Sequence, residues 1–258
     1  MEKIVVYTAI FGGYNELIEQ PQFENVDYVC FTDRNLSSSS WKVVVVPEPP
    51  VGNDNTRNNR YYKILPHLHL QDYQYSIYID GNFIIKKNPQ LLIENFLNEE
   101  VSMACFDHNQ TIMDPRNCVY QEYEAIVALA ETENKVKDDL EVIKKHIDFL
   151  KSENYPENNG LISGGVLVRK HTDEKLIKVM EEWWYFVKNF SKRDQLSFNY
   201  VAWKHHFKYN VIPGDIRKKN DYVYLLGKHK SNIAKDLWKY KIKRFLGLDS
   251  YKKSTLYE

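Results

Sequence analysis

Residues 75–85 read Tyr75-Ser-Ile-Tyr-Ile-Asp-Gly-Asn-Phe-Ile-Ile85, a β-favouring run that is broken at Asp80 and then resumes. The pattern predicts a buried strand that ends abruptly and presents a carboxylate beside a turn. In open α/β sheets, ligands bind beside the carboxyl ends of the strands. Asp80 and Asn82 are also hard oxygen donors of the kind that Mg²⁺ and Mn²⁺ prefer. Taken alone, the same residues fit an ordinary hairpin turn equally well.

The bulk composition is that of an ordinary folded domain without excess charge. The chain has 258 residues, of which 43% are hydrophobic and 27% charged, and its formal net charge is zero. This length fits one large domain, or one domain with an appendage. Because no net field draws the protein to a polyanion, we expect no nucleic-acid partner.

The cysteines and the first residues indicate the compartment. Cys30, Cys105 and Cys118 are odd in number and far apart, which favours a reducing compartment over a disulfide framework. The sequence contains no Cys-x-x-Cys pair that would indicate structural zinc. The first residues lack the order of a signal peptide, and no apolar run approaches the ~20 residues of a membrane span. We therefore expect a cytoplasmic protein.

Strand and helix patterns alternate along the chain, which predicts an α/β fold with a mixed sheet flanked by helices. Residues 118–153 have helical spacing and high charge, and we expect them to form a helical insertion. The other predicted helices cover residues 56–70 (with a break near Pro66), 88–96, 174–190 and 194–204. Besides the run that ends at Asp80, the predicted strands cover residues 4–10, 27–32, 41–46, 101–106, 161–168 and 210–213.

A cationic helix face is the second candidate feature. Arg57, Arg60 and Lys63 recur every three residues, so they lie close together on one face of the predicted helix. Arginine binds phosphate bidentately and lysine binds it as a point charge. A solvated helix face is the plainer interpretation, but residues 56–71 contain no acidic residue that would balance these charges.

Three later features each allow two interpretations. Gly164 and Gly165 interrupt a predicted strand, which indicates either a close approach by a ligand or a β-bulge. Asp194 begins a predicted helix, where it is either a favourable N-terminal carboxylate or an active-site acid. His229 is either a ligand for metal or phosphate or a surface histidine.

Together and in this order, the motifs resemble a nucleotide-sugar-dependent glycosyltransferase of the GT-A fold. The resemblance is to the glycosyltransferase-like family of plant mucilage-related proteins and bacterial polysaccharide-cluster proteins. It covers residues 4–205 and is carried by residues 7–14, 28–33, 57–63, 78–82, 164–165 and 193–198. It implies a GT-A-like, Rossmann-type mixed sheet in a domain over residues 1–235.

The resemblance also implies how a donor would be held. The N-terminal segment would hold the nucleotide base and ribose, the cationic face would lie near the diphosphate, and the glycine pair would open room for the sugar or acceptor. The residues expected around the donor are Thr8, Ala9, Phe11, Tyr14, Asp33, Arg57, Arg60, Lys63, Asp80, Gly164 and Gly165.

The implied metal and catalytic residues lie elsewhere in the chain. Asp80 and Asn82 would take the place of an Asp-x-Asp metal motif, and His229 would complete the site. Asn82 coordinates without adding charge, so a weaker metal site is expected. Asp194 and Gln195 would contact the donor sugar near the reacting carbon, as catalytic residues.

The function implied by the resemblance is transfer of a sugar from a UDP-sugar to a glycan or lipid-linked acceptor. The pathway would be bacterial surface polysaccharide synthesis, such as capsule or lipopolysaccharide, with Mn²⁺ or Mg²⁺ as cofactor, and the motif order leans towards retention. The alternative is a non-catalytic nucleotide- or glycan-binding subunit, which Asn82 in place of a second Asp keeps open. A nucleotidyltransferase ranks last because the N-terminal loop lacks the expected basic, glycine-rich phosphate cradle.

The C-terminal tail, residues 236–258, is expected to be a basic amphipathic helix. Bulky apolar residues alternate there with Lys and Arg up to Tyr251. Such a helix either lies on an anionic leaflet, here the inner face of the cytoplasmic membrane, or packs on the domain.

Overall fold

The structure, a computed structural model, describes residues 3–133, 138–227 and 233–246. The strands are β1 (Ile4–Ile10), β2 (Val26–Thr32), β3 (Lys42–Val45), β4 (Tyr75–Ile79), β5 (Phe83–Ile85), β6 (Met103–Asp107), β7 (Ile162–Lys170), β8 (Asn210–Ile212) and β9 (Val223–Leu225). The helices are α1 (Asn55–Ile64), α2 (Gln90–Phe96), α3 (Val119–Glu133), α4 (Leu140–Ser152), α5 (Glu174–Asn189), α6 (Gln195–Lys204) and α7 (Ile233–Phe245).

Seven strands form one mixed sheet in the order β3-β2-β1-β4-β7-β6-β8. β1 to β4 run parallel to one another, and β7 runs antiparallel between β4 and β6. The mixed α/β sheet flanked by helices that the sequence predicts is confirmed. Because β1 and β4 are parallel neighbours, the loops that follow them lie side by side at one edge of the sheet.

The central strand β1 explains why the sheet is covered on both faces. All seven of its residues are buried, as its continuous apolar run predicts. Tyr7 and Ala9 belong to the core on the side of α5 and α6. Val6 and Ile10 point the other way, into a second core that includes residues of α2. This alternation is the two-residue period of a strand.

One predicted break is confirmed, and two features differ from the prediction. Helix α1 ends at Ile64, at the break predicted near Pro66, because Pro66 has no N–H to continue the helix and instead begins a short 3₁₀ turn. The apolar run after Asp80 forms β5, which leaves the main sheet and pairs with β9. The C-terminal helix begins at Ile233 rather than at residue 236, and residues 247–258 lie outside the described residues.

The region over residues 118–153, which was predicted to be helical, contains two helices, α3 and α4. None of the described helices, α7 included, is both long and apolar enough to cross a bilayer.

A buried histidine on α4 makes the fold sensitive to acid. His146 is fully buried and stacks on Phe186 at 5.8 Å between ring centroids. Neither of its ring nitrogens has a hydrogen-bond partner among the described residues. Burial lowers the pKa of His146 to about 4, so the ring is neutral near pH 7.

We predict that His146→Leu flattens the acid side of the stability profile. The pKa of His146 in the folded protein lies below its unfolded value of ~6.5. The stability gained from burying the neutral ring is therefore complete above that value and is lost as the pH falls towards 4. Urea unfolding at pH 7 and pH 4.5 should show a fall in the free energy of unfolding that is smaller in the variant by up to about 3 kcal/mol. His206→Asn, at an exposed position, should behave like the unmodified protein. An equal fall in both variants would contradict this assignment.

Candidate functional site

A cavity of about 540 Å³ opens at the carboxyl ends of β1 and β4. Its walls come from the end of β1, helix α1, the turn after β4, the glycine pair of β7 and the segment that begins α6. Of the residues predicted from sequence, the cavity is lined by Ala9, Phe11, Tyr14, Arg60, Lys63, Asp80, Asn82, Gly164, Gly165, Asp194 and Gln195.

A buried ion cluster forms one wall of the cavity. Asp194 is 4% exposed, and its Oδ1 lies 3.2 Å from Nε of Arg60. Its Oδ2 is paired with Nζ of Lys63, which is itself only 2% exposed. Burial by itself raises the pKa of Asp194, but the charges of Arg60 and Lys63 outweigh it and lower the pKa to about 2. The carboxylate therefore stays ionised at neutral pH.

Helix geometry brings this cluster together. Arg60 and Lys63 lie one turn apart on α1, so both side chains reach the same side. Asp194 lies at the start of α6, and its carbonyl accepts a hydrogen bond of 2.9 Å from Nε1 of Trp183. Its side chain makes no capping hydrogen bond to the helix. Asp194 therefore stands at the N-terminus of α6, as one interpretation of the sequence requires, and its carboxylate faces the cations of α1.

Asp80 is held firmly at the end of β4. The hydroxyl of Tyr78 donates to its Oδ1 at 2.8 Å, and its backbone N–H donates to the carbonyl of Gly165 at 2.9 Å. Burial, followed by the charge of Asp80, raises the pKa of Tyr78 well above its usual value, so the phenol stays protonated and able to donate. Asn82 donates weakly to the carbonyl of Gly227, at 3.4 Å.

The glycine pair forms the β-bulge that was one of the two interpretations of the sequence. The pairing of β7 with β6 shifts register at this point, so the segment is a bulge. A Cβ on Gly164 would lie 3.0 Å from Nζ of Lys63, and one on Gly165 would lie 3.0 Å from the Phe83 ring and 3.3 Å from Oδ2 of Asp80. Side chains at these positions would press on the ion cluster and on Asp80.

Arg57 is the member of the cationic trio that the structure does not bring to the cavity. Its guanidinium donates to the carbonyls of Val187 and Phe190, at 2.9 and 2.7 Å, and pairs with Asp54 at 2.7 Å. The carbonyls at a helix end have no partner within the helix, so Arg57 holds the end of α5. On a helix of 3.6 residues per turn, each step of three residues rotates the side chain by about 60°. After two such steps Arg57 and Lys63 point in different directions.

Two other predicted residues lie outside the cavity lining. Thr8 is fully buried within the sheet, two residues before the end of β1. Asp33 accepts a hydrogen bond of 2.8 Å from the N–H of Gly12, and so fixes the loop that carries Phe11 and Tyr14. His229 lies outside the described residues.

Sequence reasoning missed several polar lining residues: Asn15, Asn55, Thr56, Asn59, Ser163, Lys192, Arg193 and Arg217. A signal existed for those on α1, since Asn59 precedes Lys63 by four residues and shares its face. Arg193 is fixed by Glu122 of α3, at 2.6 Å. Nothing in the pattern around Arg217 distinguishes it from a surface arginine.

The lining is more positive than negative. Among the described residues, the lining contains the cations Arg60, Lys63, Lys192, Arg193 and Arg217, and its acidic members are Asp80 and Asp194. A cleft of one sign raises the local concentration of oppositely charged ligands. The cavity is therefore suited to an anion such as a phosphate ester.

The donor set for a metal is small. Within residues 3–133, 138–227 and 233–246, no group of three or more His, Cys, Asp or Glu side chains is placed to hold a metal ion. Mg²⁺ commonly keeps several waters and takes one or two carboxylates plus phosphate oxygens from its substrate. Asp80 and Asn82, side by side at the cavity wall, fit that kind of site.

We predict that Asp194→Asn destabilises the fold, because the buried ammonium of Lys63 loses its counter-charge. Removing one partner of a buried ion pair costs about 3–5 kcal/mol. Urea unfolding at pH 7 measures this loss, and Asp72→Asn, at an exposed position, should stay within about 0.5 kcal/mol of the unmodified protein. If both variants unfold at the same midpoint, the cluster does not stabilise the fold.

Comparison with known proteins agrees with these features. The chain is 27% identical, over 227 residues, to "Probable hexosyltransferase MUCI70" of Arabidopsis thaliana. The match covers 77% of this chain but only 37% of that relative.

Two solved structures are more distant in sequence. The apo structure of the bifunctional glycosyltransferase WbbM is 10% identical, with a TM-score of 0.45 over 81% of this chain and 38% of that one. Mouse xyloside xylosyltransferase 1, in its apo form, is 10% identical, with a TM-score of 0.43 over 87% of this chain and 97% of that one. A family model described as "TOD1/MUCI70, glycosyltransferase-like domain" matches residues 1–219. The chain therefore belongs to the TOD1/MUCI70 glycosyltransferase-like domain family, which confirms the resemblance seen in its motifs.

Proposed function

We propose that this chain is a glycosyltransferase that moves a sugar from a UDP-sugar to a glycan or lipid-linked acceptor. The observation that carries the proposal is the ion cluster of Arg60, Lys63 and Asp194 in a cationic cavity at the carboxyl ends of β1 and β4. Membership of a glycosyltransferase-like family supports the reaction class. Ligand binding at this edge is the general rule for open α/β sheets.

The cations in the cavity suit the leaving group of such a reaction. When the bond between sugar and nucleoside diphosphate breaks, negative charge grows on the departing phosphate. Fixed cations in a partly buried site stabilise that charge without having to reorganise. Arg60 brings a guanidinium charge that can contact phosphate oxygens, and its side chain is 24% exposed, so a ligand can reach it.

Asp194 has two tasks in this proposal. It balances the charge of Lys63, which would otherwise be too costly to bury. As a permanently ionised carboxylate in the cavity wall, it also stabilises positive charge that develops on the sugar ring. Gln195 follows it in the lining, and its Nε2 donates to the carbonyl of Ile162 at 2.7 Å.

Asp80 and Asn82 would hold a divalent cation, Mn²⁺ or Mg²⁺. When bound, such an ion neutralises the diphosphate and so makes it a better leaving group. The hydroxyl of Tyr78 fixes one carboxylate oxygen of Asp80 and thereby orients the other. Asn82 adds an oxygen donor but no charge, which favours modest metal affinity.

The ion pairs and the hydrogen bond of the two acidic lining residues favour a mechanism that retains the configuration of the sugar. An inverting enzyme needs a carboxylate base at the acceptor hydroxyl. In the described lining, Asp194 is paired with two cations, and Asp80 is hydrogen-bonded to Tyr78. Neither is placed as an uncommitted base, whereas retention with the leaving phosphate as base requires none.

For the acceptor, we extend the proposal to the assembly of a surface polysaccharide at the inner face of a cytoplasmic membrane. The support is the basic C-terminal helix α7, whose charged and apolar side chains suit contact with anionic lipid. The buried, unpaired cysteines are consistent with a reducing compartment.

We predict that the purified protein hydrolyses or transfers from at least one UDP-sugar in the presence of Mn²⁺. Asp80→Asn should lower turnover by at least about 100-fold, since it removes the charge that helps to stabilise the leaving group. Asp72→Asn is the control for loss of an exposed carboxylate.

The measurement is release of UDP across a panel of donors, together with calorimetric binding of UDP. Binding without turnover across the panel would favour the non-catalytic alternative. Full turnover by Asp80→Asn would remove Asp80 from the mechanism.

We also predict that Gly165→Ala impairs use of the sugar more than binding of UDP. The added Cβ would crowd Phe83, Ile216 and Asp80 at 3.0–3.3 Å, where the proposal places the sugar. The ratio of turnover to KM should fall at least about tenfold, while the Kd of UDP should change by less than about threefold. Equal losses in both quantities would show that the glycine pair serves the nucleotide or the fold.

A further inference from the structure

Helix α7 carries two different apolar faces, and the described part of the chain covers one of them. Tyr240 is 4% exposed and lies in a small core with Ile18, Ile84 and Leu226. Leu237, one turn earlier, packs against the same core. The Tyr240 ring also lies 4.6 Å from that of Tyr224 on β9, centroid to centroid. This face attaches the helix to the domain.

The other face leaves four bulky side chains in solvent. Trp238 is 64% exposed, Ile242 37%, Phe245 89% and Leu246 58%. They follow one another at spacings of four, three and one residues, so they share one side of the helix, away from Leu237 and Tyr240. Each of the other described helices exposes at most one large apolar side chain to this degree. A concentrated apolar surface of this kind indicates an interaction site.

The charge of this helix selects the partner. Over its length α7 carries five cationic side chains against a single acid, Asp236, although the whole chain has no net charge. Lys239 and Lys241 are exposed beside the apolar stripe. Lysines in that position extend their charged ends towards phosphate head groups while their stems lie along apolar surface.

A protein partner fits these features less well than a lipid surface does. Packed protein interfaces are depleted in lysine, and a second copy of this chain would bring one set of five cations against another. A Trp- and Phe-bearing stripe flanked by lysines is the composition of a helix that lies in the plane of a membrane interface. We propose that α7 docks this protein on an anionic lipid bilayer, with Trp238, Ile242, Phe245 and Leu246 inserted at the head-group boundary.

The docking helix lies close in sequence to the cavity wall. Leu225 lines the cavity, and the N–H of Leu226 donates to the carbonyl of Asn82 at 2.8 Å. From Gly227 to Ile233 the chain spans six residues, a reach of at most about 20 Å. A docked α7 therefore holds the cavity near the head groups. In that position the cavity could receive a lipid-linked acceptor from the membrane. This consequence rests on the proposed function, whereas the docking itself does not.

The test is sedimentation of the full chain with vesicles, without any substrate. One vesicle is an equal mixture of phosphatidylglycerol and phosphatidylcholine, and the other is phosphatidylcholine alone. We expect binding to the anionic vesicle that weakens as salt is raised, since charges near a surface are screened, and much weaker binding to the neutral one. The double variant Trp238→Ser/Phe245→Ser should lose at least about tenfold in partition coefficient.

Matched variants distinguish docking through α7 from non-specific hydrophobic binding to vesicles and from unfolding. Leu129→Ser/Tyr185→Ser removes two exposed apolar side chains from α3 and α5 and should bind vesicles like the unmodified protein. Lys239→Gln/Lys241→Gln should weaken binding to the anionic vesicle alone. Thermal unfolding checks that the Trp238/Phe245 variant remains folded.

The proposal is overturned if the unmodified protein does not sediment with anionic vesicles, or if the Trp238/Phe245 variant binds them unchanged. It is also overturned if sedimentation velocity shows that the stripe joins two copies of the chain instead. Vesicle binding by a protein that binds no UDP would leave the docking intact and remove the proposed reaction, so the two failures are distinguishable.

Discussion

Lys63 is buried to 2% exposure, and a buried ammonium must be paired, because removing it from water is otherwise prohibitive. Its partner, Asp194, comes from the start of α6, more than a hundred residues along the chain. The pair therefore fixes α1 against α6 at the edge where β1 and β4 end. The same atoms form the cavity wall, so one interaction serves the fold and the site together.

The surroundings of Lys63 reinforce this placement from behind. Arg169 on β7 is fully buried, and its guanidinium donates to the carbonyl of Lys63 at 2.8 Å and to the hydroxyl of Tyr7. Tyr7 in turn donates to the same carbonyl at 2.7 Å. The end of a helix carries partial negative charge and carbonyls without partners, which is the environment that a buried arginine requires. The sheet thus holds the end of α1, and with it the ammonium group that faces the cavity.

Much of the fold could be predicted from the local sequence pattern, but the different contacts made by the three cations of α1 could not. The apolar run of β1, the stop at Asp80 and the helical spacing of α5 depend on neighbours in sequence, and each was predicted. Arg57, Arg60 and Lys63 look alike in sequence, yet Arg57 binds the end of α5, whereas Arg60 and Lys63 meet Asp194 at the cavity. The contacts of each cation depend on which residues, distant in sequence, lie next to its side chain in the folded protein. The pairing of β5 with β9 was not predicted either, because strands of three residues are too short to show a periodic pattern.

The central claim is that the cationic wall of this cavity binds the diphosphate of a nucleotide. Calorimetric titration of UDP into the unmodified protein and into Arg60→Met tests it most directly. Methionine keeps much of the length of the side chain and removes its charge, and Arg60 is partly exposed, so the fold should survive. The account predicts that UDP binds the unmodified protein and binds the variant at least about tenfold more weakly. Equal affinity for both proteins, or no binding to either, would contradict it.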